Sequence, residues 1–354
     1  MTTRLGRKAL WSIAVAAVAA TVATTARVWA AEAPVPAPVQ DSAKPAGDDA
    51  DKSQTLEPGK ADPVVVGVYV NQVHEFSLRE NSFTVDFYVW FRWKNPALKP
   101  YETFSVIDGR IESKTDAVVK DLPGGEKHAY LRVVCKITKF FDTTDYPLDN
   151  HQLTIVIEEE DSETHLVKYV ADEVNSAASP AIKLNGWVFA RLNTVGSEQA
   201  YHSNFGDTSL PTGNETSYAR VTTAVSFTRQ GGTFFFKLFF GLWICCAIAF
   251  TVFWIRPSDV DPRFGLGVGA LFAAIASMYV IASSLPDSNV ITLADELHLI
   301  AFAFIFVTIA QSTLSLYWFQ TEREAKSKSF DRLFRVLCPV GYIVLNVYAI
   351  LHVG

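Results

Sequence analysis

Cysteine and charge are what this 354-residue sequence has least of, and each shortage narrows what the chain can be. The four cysteines, Cys135, Cys245, Cys246 and Cys338, form no CxxC pair and no Cys/His ligand spacing, which excludes a structural zinc site. Three of them fall in long apolar runs, so Cys135 stands alone outside those runs and no disulfide is expected in the remainder of the chain. Charged residues make up only 19%, against about 25% in an average soluble protein, while hydrophobic residues reach 49% and the mean hydropathy is +0.16. That is the composition of a membrane protein. A basic excess is also missing: 31 Lys and Arg against 37 Asp and Glu give 31 − 37 = −6, which excludes nucleic acid as a partner. No nucleophile or metal spacing occurs in the apolar runs, whose strongly polar residues are Lys237, His298, Gln311, Arg335, Asn346 and His352; neither an enzyme nor a cofactor is expected.

What is present is ordered along the chain. Residues 1–31 carry Arg4, Arg7 and Lys8, an Ala-rich apolar run and a small-residue site at Val28-Trp29-Ala30, the order of a secretory signal peptide, with an uncleaved anchor as the alternative. Residues 32–62, rich in Ala, Pro, Asp and Lys, hold too little to bury and read as a disordered linker. From 63 to 232 the texture is one of short period-two runs at 64–73, 83–93, 129–138, 152–157, 187–192 and 219–227, separated by turn signals such as Pro123-Gly124-Gly125. This predicts an all-β, immunoglobulin-like antiparallel sandwich.

Residues 233–354 contain four apolar segments, 234–255, 264–285, 297–318 and 333–352, each with about the 20 residues a helix needs to cross hydrocarbon. The connections 256–263 and 319–332 hold Arg256, Arg263, Arg323, Lys326, Lys328 and Arg332, whereas 286–296 holds only Asp287, Asp295 and Glu296. Basic connections stay cytoplasmic, so the first helix runs inward and the C-terminus returns outward, in agreement with an exported sandwich. The expected architecture is an extracellular β-sandwich on a four-helix transmembrane bundle.

Local motifs narrow this class. Trp93-Lys94-Asn95 closes a run reading Phe87-Tyr88-Val89-Trp90-Phe91-Arg92, Tyr146-Pro147-Leu148-Asp149 stands between two runs, Arg229 precedes the first apolar segment and Pro286 ends the second. In order and spacing, residues 63–354 resemble a pentameric ligand-gated ion channel, a bacterial relative of the Cys-loop receptors. The disulfide of the animal receptors would need Cys at Lys139 and Leu153, the usual proline of the first membrane helix is missing, and the 319–332 connection has no room for a large cytoplasmic domain. The resemblance implies a homopentamer in the bacterial inner membrane with its sandwich in the periplasm, where agonist bound between neighbouring sandwiches opens a central pore. The alternative is a membrane-anchored periplasmic receptor that does not conduct.

The resemblance also assigns residues. The second membrane helix lines the pore, and steps of four and three residues from Pro262 select Gly265, Gly269, Phe272, Ala276, Tyr279 or Val280, and Ser283. A ring of Phe272 could block conduction by dewetting, while the competing reading has the Gly and Ala residues serving close helix packing. Asp259 and Asp261 would favour monovalent cations at the cytoplasmic mouth, although Arg256 and Arg263 flank them and Pro262 stands where many cation-selective relatives carry Glu. The agonist box falls on Tyr88, Glu158, Glu160, Tyr201 and Tyr218, and tyrosine faces with carboxylates point to a small amine. Calcium or proton modulation through the run Glu158-Glu159-Glu160-Asp161 stays open. Coupling between sandwich and pore is expected from Asp149 with Arg229 as a buried ion pair, and from the linker that starts at Pro286.

Overall fold

The computed structural model describes residues 61–206 and 215–352, which fall in one compact unit, Leu56–Gly354. The expected signal peptide, and the expected linker up to residue 60, lie outside the described residues.

Eleven strands form the first half of the described chain: β1 (Asp62–Ser77), β2 (Ser82–Trp93), β3 (Phe104–Val106), β4 (Gly109–Lys114), β5 (Val118–Asp121), β6 (Lys127–Thr138), β7 (Asn150–Glu163), β8 (Val167–Ala171), β9 (Ala177–Ala178), β10 (Trp187–Tyr201) and β11 (Thr216–Arg229). A single helical turn, α1 (Pro100–Thr103), interrupts them. One sheet runs β4-β6-β2-β1-β8 with β5 and β9 at its margins, and the other runs β10-β11-β7-β3. The pairing is antiparallel except where β8 and β9 lie parallel to β1, a departure from the expected all-antiparallel sandwich.

Alternation explains which face is inside. Val64, Val66, Val68 and Val70 of β1, Phe83, Phe87 and Phe91 of β2, Leu153, Ile155 and Ile157 of β7, and Val221, Val225 and Phe227 of β11 are all buried. Gly67 sits opposite Trp90, and a Cβ there would lie 2.2 Å from the indole, so only glycine lets that ring cross β1 to donate to Asp172.

Four helices follow: α2 (Gly231–Phe250), α3 (Val260–Ala282), α4 (Leu293–Gln320) and α5 (Glu324–Leu351). All are long and apolar enough to cross a membrane, which makes the chain a multi-pass membrane protein. The first was expected to run to residue 255, but it tightens after Phe250 into a 3-10 turn, Thr251–Trp254. The fourth begins at Glu324, several residues before its apolar run, because the cationic first turns are helical too. At the start of α4, Thr292 accepts from the Asp295 N–H while the Asp295 carboxylate accepts from the Thr292 N–H, a capping box that holds the helix end against the sandwich.

Candidate functional site

Three groups of residues bear on function: the junction of sandwich and helices, a cluster on β7, β10 and β11, and one face of α3.

At the junction, Arg229 ends β11 and Asp149 ends the turn before β7. The Arg229 Nε and Nη2 donate to the two Asp149 oxygens at 2.8 and 3.0 Å, with both side chains nearly excluded from solvent. The guanidinium lies over the rings of Trp187, Phe234 and Tyr146 at 4.1, 5.1 and 5.2 Å. His151 adds a second contact to Asp149 at 2.6 Å. Burial opposes ionisation of Asp149, yet the hydrogen bonds from His151 and Arg229 outweigh it and hold the carboxyl below its ordinary range.

The same turn grips the helices. Leu293 and Ala294, the first residues of α4, donate their N–H groups to the carbonyls of Thr144 and Tyr146 at 2.8 and 3.2 Å. From the β1–β2 loop, Arg79 donates to the Ser283 carbonyl at 3.1 Å, just past the end of α3. The end of the bundle that carries the acidic 286–296 connection therefore meets the sandwich. Pro286 is half-buried in that connection. Lys139 closes the neck of the turn without covalent chemistry: its ammonium donates to the Gln152 carbonyl at 2.7 Å and the Thr154 hydroxyl at 3.2 Å, the two neighbours of Leu153.

The second cluster gathers three of the five residues assigned to the agonist box. Tyr201 donates to Glu158 at 2.9 Å, and the Tyr201 and Tyr218 rings meet edge-on at 6.0 Å. Two residues that sequence reasoning passed over complete it. Phe205 lies 5.6 Å from Tyr201 and 6.3 Å from Tyr218 although 65% exposed, and Arg220 sits directly across the strand pair from Glu158 and donates to its carboxylate. Arg220 also donates to Tyr201 at 2.6 Å and to Gln199 at 3.1 Å. Burial, and then the Glu158 carboxylate, raise the Tyr201 phenol.

Glu160 is exposed and stands apart from this cluster, and Tyr88 lies on β2 in the other sheet, where it faces Arg132. A single chain does not bring Tyr88 to the box. The acidic run is divided rather than convergent: Glu158 binds Arg220, Glu159 is buried and accepts from Tyr169 at 2.7 Å, and Glu160 and Asp161 are exposed. Burial raises the Glu159 carboxyl above its ordinary value. Among the described residues, no group of three or more His, Cys, Asp or Glu side chains is placed to hold a metal ion.

The third group is α3. Arg263, Gly267, Ala270, Ala274 and Ile281 form its buried face. Gly265, Gly269, Phe272, Ala276, Tyr279 and Ser283 are exposed within the chain, Phe272 at 68% and Tyr279 at 77%. The two readings of the glycines separate here. A Cβ on Gly267 would lie 2.8 Å from Ile309, so that glycine serves helix packing, while Gly265 and Gly269 would meet nothing within 4 Å. Asp259 stands at the N-cap position of α3, where its carboxylate accepts from the Ser258 hydroxyl and not from the helix, and Asp261 lies in the first turn, both exposed. His298, Gln311 and Arg335 do not meet one another: His298 contacts Ser277, Gln311 contacts Asp331, and Arg335 contacts the Phe253 carbonyl.

No family model matches the chain. It is 21% identical over 303 residues to a proton-gated ion channel of Gloeobacter violaceus, covering 80% of this chain and 81% of that protein. It is 22% identical over 320 residues to the gamma-aminobutyric acid receptor subunit rho-2 of Bos taurus, covering 81% of this chain and 66% of the subunit. The rho-1 subunit of Rattus norvegicus is 23% identical over 323 residues, covering 82% of this chain and 64% of the subunit.

Proposed function

This chain is a relative of the pentameric ligand-gated ion channels of the Cys-loop type, not an enzyme, and from that premise we propose that five copies surround a pore lined by α3, opened by a small molecule bound between neighbouring sandwiches. The observation that carries this reading is the α3 face of Gly265, Gly269, Phe272, Ala276 and Tyr279, which is exposed among the described residues and carries small side chains at one end and aromatic ones beyond them. Glycines leave width at one end, and the Phe272 ring supplies an apolar constriction. Asp259 and Asp261 give the mouth a cation preference.

The agonist is a small amine, taken between Tyr201, Phe205 and Tyr218 with Glu158 as counter-charge, and with Tyr88 supplied by the neighbouring copy. Each aromatic face attracts an ammonium by about 0.5 to 2 kcal/mol. Arg220 bears on the ligand's other end. Its guanidinium already spans Glu158 and Tyr201, so an amine that takes over Glu158 releases a fork suited to a carboxylate, as in an ω-amino acid such as the one named in the rho subunits. Carrying a gate from 1:99 to 99:1 needs about 5.5 kcal/mol of differential affinity, or about 1.1 kcal/mol at each of five sites.

A second reading, protons as the activating ligand, rests on Glu159. It is buried beside Tyr169 with its carboxyl raised, so acidification neutralises it before ordinary surface carboxylates. Currents from purified protein in planar bilayers, challenged with an amine panel and separately with pH steps, decide between the two. Tyr218→Ala is expected to weaken amine sensitivity by about tenfold or more, since about 1.4 kcal/mol of lost cation–π attraction is tenfold. Sensitivity equal to the parent's would remove the box. Silence under every stimulus would favour the non-conducting receptor.

A further inference from the structure

At the end of the bundle away from the sandwich, an arginine sits where no water reaches it. Arg263 lies in the first turns of α3, two residues beyond Asp261, and its side chain is 0% exposed. It points away from the free face of α3 and into the bundle. Its Nη2 pairs with Asp331 of α5 at 2.7 Å, and its Nη1 donates to Ser315 of α4 at 3.2 Å. Gln311 donates to the same Asp331 oxygen at 2.6 Å, and Ser315 and Ser327 bond to each other at 2.8 Å. Three helices thus close around one guanidinium, and Asp331 is its carboxylate partner.

The charge count at the mouth depends on that burial. Asp259, Asp261 and Arg256 are exposed, which sums to −1 per chain. Neither aspartate is in an ion pair among the described residues. If Arg263 faced the mouth as well, the sum would be zero. A buried pair of opposite charges projects only a dipole, whose field falls off faster than that of an isolated ion.

We propose that Asp331 is a determinant of ion charge selectivity that never touches an ion: by holding Arg263 inside the bundle it leaves the mouth with net negative charge. Asp331 is a positioning residue, acting through Arg263. The inference rests on the reading above, that α3 lines a pore with Asp259 and Asp261 at its mouth.

The test is the reversal potential in planar bilayers under a potassium chloride gradient, in a Phe272→Ala background that conducts without agonist. Asp331→Asn removes the partner and lets Arg263 turn towards water. The permeability ratio of potassium to chloride is expected to fall by about tenfold, the low end of what a charged constriction imposes on local ion concentration. Arg263→Gln and the double variant Arg263→Gln/Asp331→Asn are expected to keep the background's reversal potential, and Asp331→Glu to restore it. A purely structural role would lower assembly in all four variants without moving the reversal potential. Unchanged selectivity in a conducting Asp331→Asn channel overturns this inference alone. If that variant does not assemble, Arg263→Gln decides: a shift towards potassium would mean the arginine already faces the mouth. Where the background is silent but the parent responds to amine or acid, the same series is read in the parent under that stimulus; silence of both overturns the pore reading together with the inference.

Discussion

Phe272→Ala should conduct at rest, with current at least about tenfold above the parent's, since each ~1.4 kcal/mol removed from a barrier is about tenfold in rate. The side chain is 68% exposed within the chain, so truncation opens no cavity in the core and a loss of stability is not expected. In a ring, however, the same phenyl groups form an apolar belt between the small residues Gly265, Gly269 and Ala276 of that face, with Tyr279 and Ser283 beyond it. An apolar constriction empties of water before it closes sterically, and alanine at this level leaves a passage that stays wet. Single-channel recording without agonist checks this. Resting current no greater than the parent's would mean that Phe272 faces lipid or a neighbouring helix.

Asp149→Asn is expected to be the most damaging change in the sandwich. It leaves the Arg229 guanidinium charged, enclosed by Trp187, Phe234 and Tyr146 and facing an acceptor that no longer carries charge. Stranding one partner of a buried pair costs about 3 to 5 kcal/mol. Removing both charges, in Asp149→Asn/Arg229→Gln, should recover part of that loss. Because the folded-state pKa of Asp149 is depressed, its contribution is complete above the unfolded-state value of about 3.9 and is lost as pH falls through the folded value. Thermal unfolding of the detergent-solubilised protein should therefore show the parent, but not the double variant, weakening through this group in acid. A single variant as stable as the parent would mean the pair is solvated. Since the 144–146 turn also caps α4, a current readout should show gating impaired alongside stability.

The architecture was legible because one periodicity and one length dominate the sequence: period-two runs where strands bury one face, and about 20 apolar residues where helices cross. Five strands escaped, and β4 and β8, at six and five residues, are too short for their alternation to stand out. β5 is exposed throughout, β3 has three residues and β9 only two, so sheet membership comes from a neighbour's ladder rather than from their own pattern. Helix ends escaped for a related reason, since the polar first turns of α5 are helical through packing, with Ser327 and Asp331 buried.

In the candidate sites, Tyr201, Tyr218 and Glu158 could be named because a family resemblance pointed to them. Arg220 and Phe205 could not. An arginine in a period-two strand reads as a solvated outward position, and only the cross-strand register sets it against Glu158. Arg263 was counted with the charges flanking the mouth, because linear proximity to Asp261 carries no information about which way a helix turns a side chain. Its partner Asp331 lies on another helix, and nothing in the spacing joins them. His151 stands in no spacing that marks it in the sequence, and only the fold sets it on Asp149.

Cysteine scanning along α3 reports whether one face of that helix meets water. In a cysteine-free background, single cysteines from 262 to 283 would be exposed to a membrane-impermeant thiol reagent in liposomes. A water-filled pore lined by this helix gives a stripe of modification at Gly265, Gly269, Phe272, Ala276, Tyr279 and Ser283, with Gly267, Ala270 and Ala274 protected. Uniform protection along the helix, or labelling centred on the Gly267 face, would contradict it.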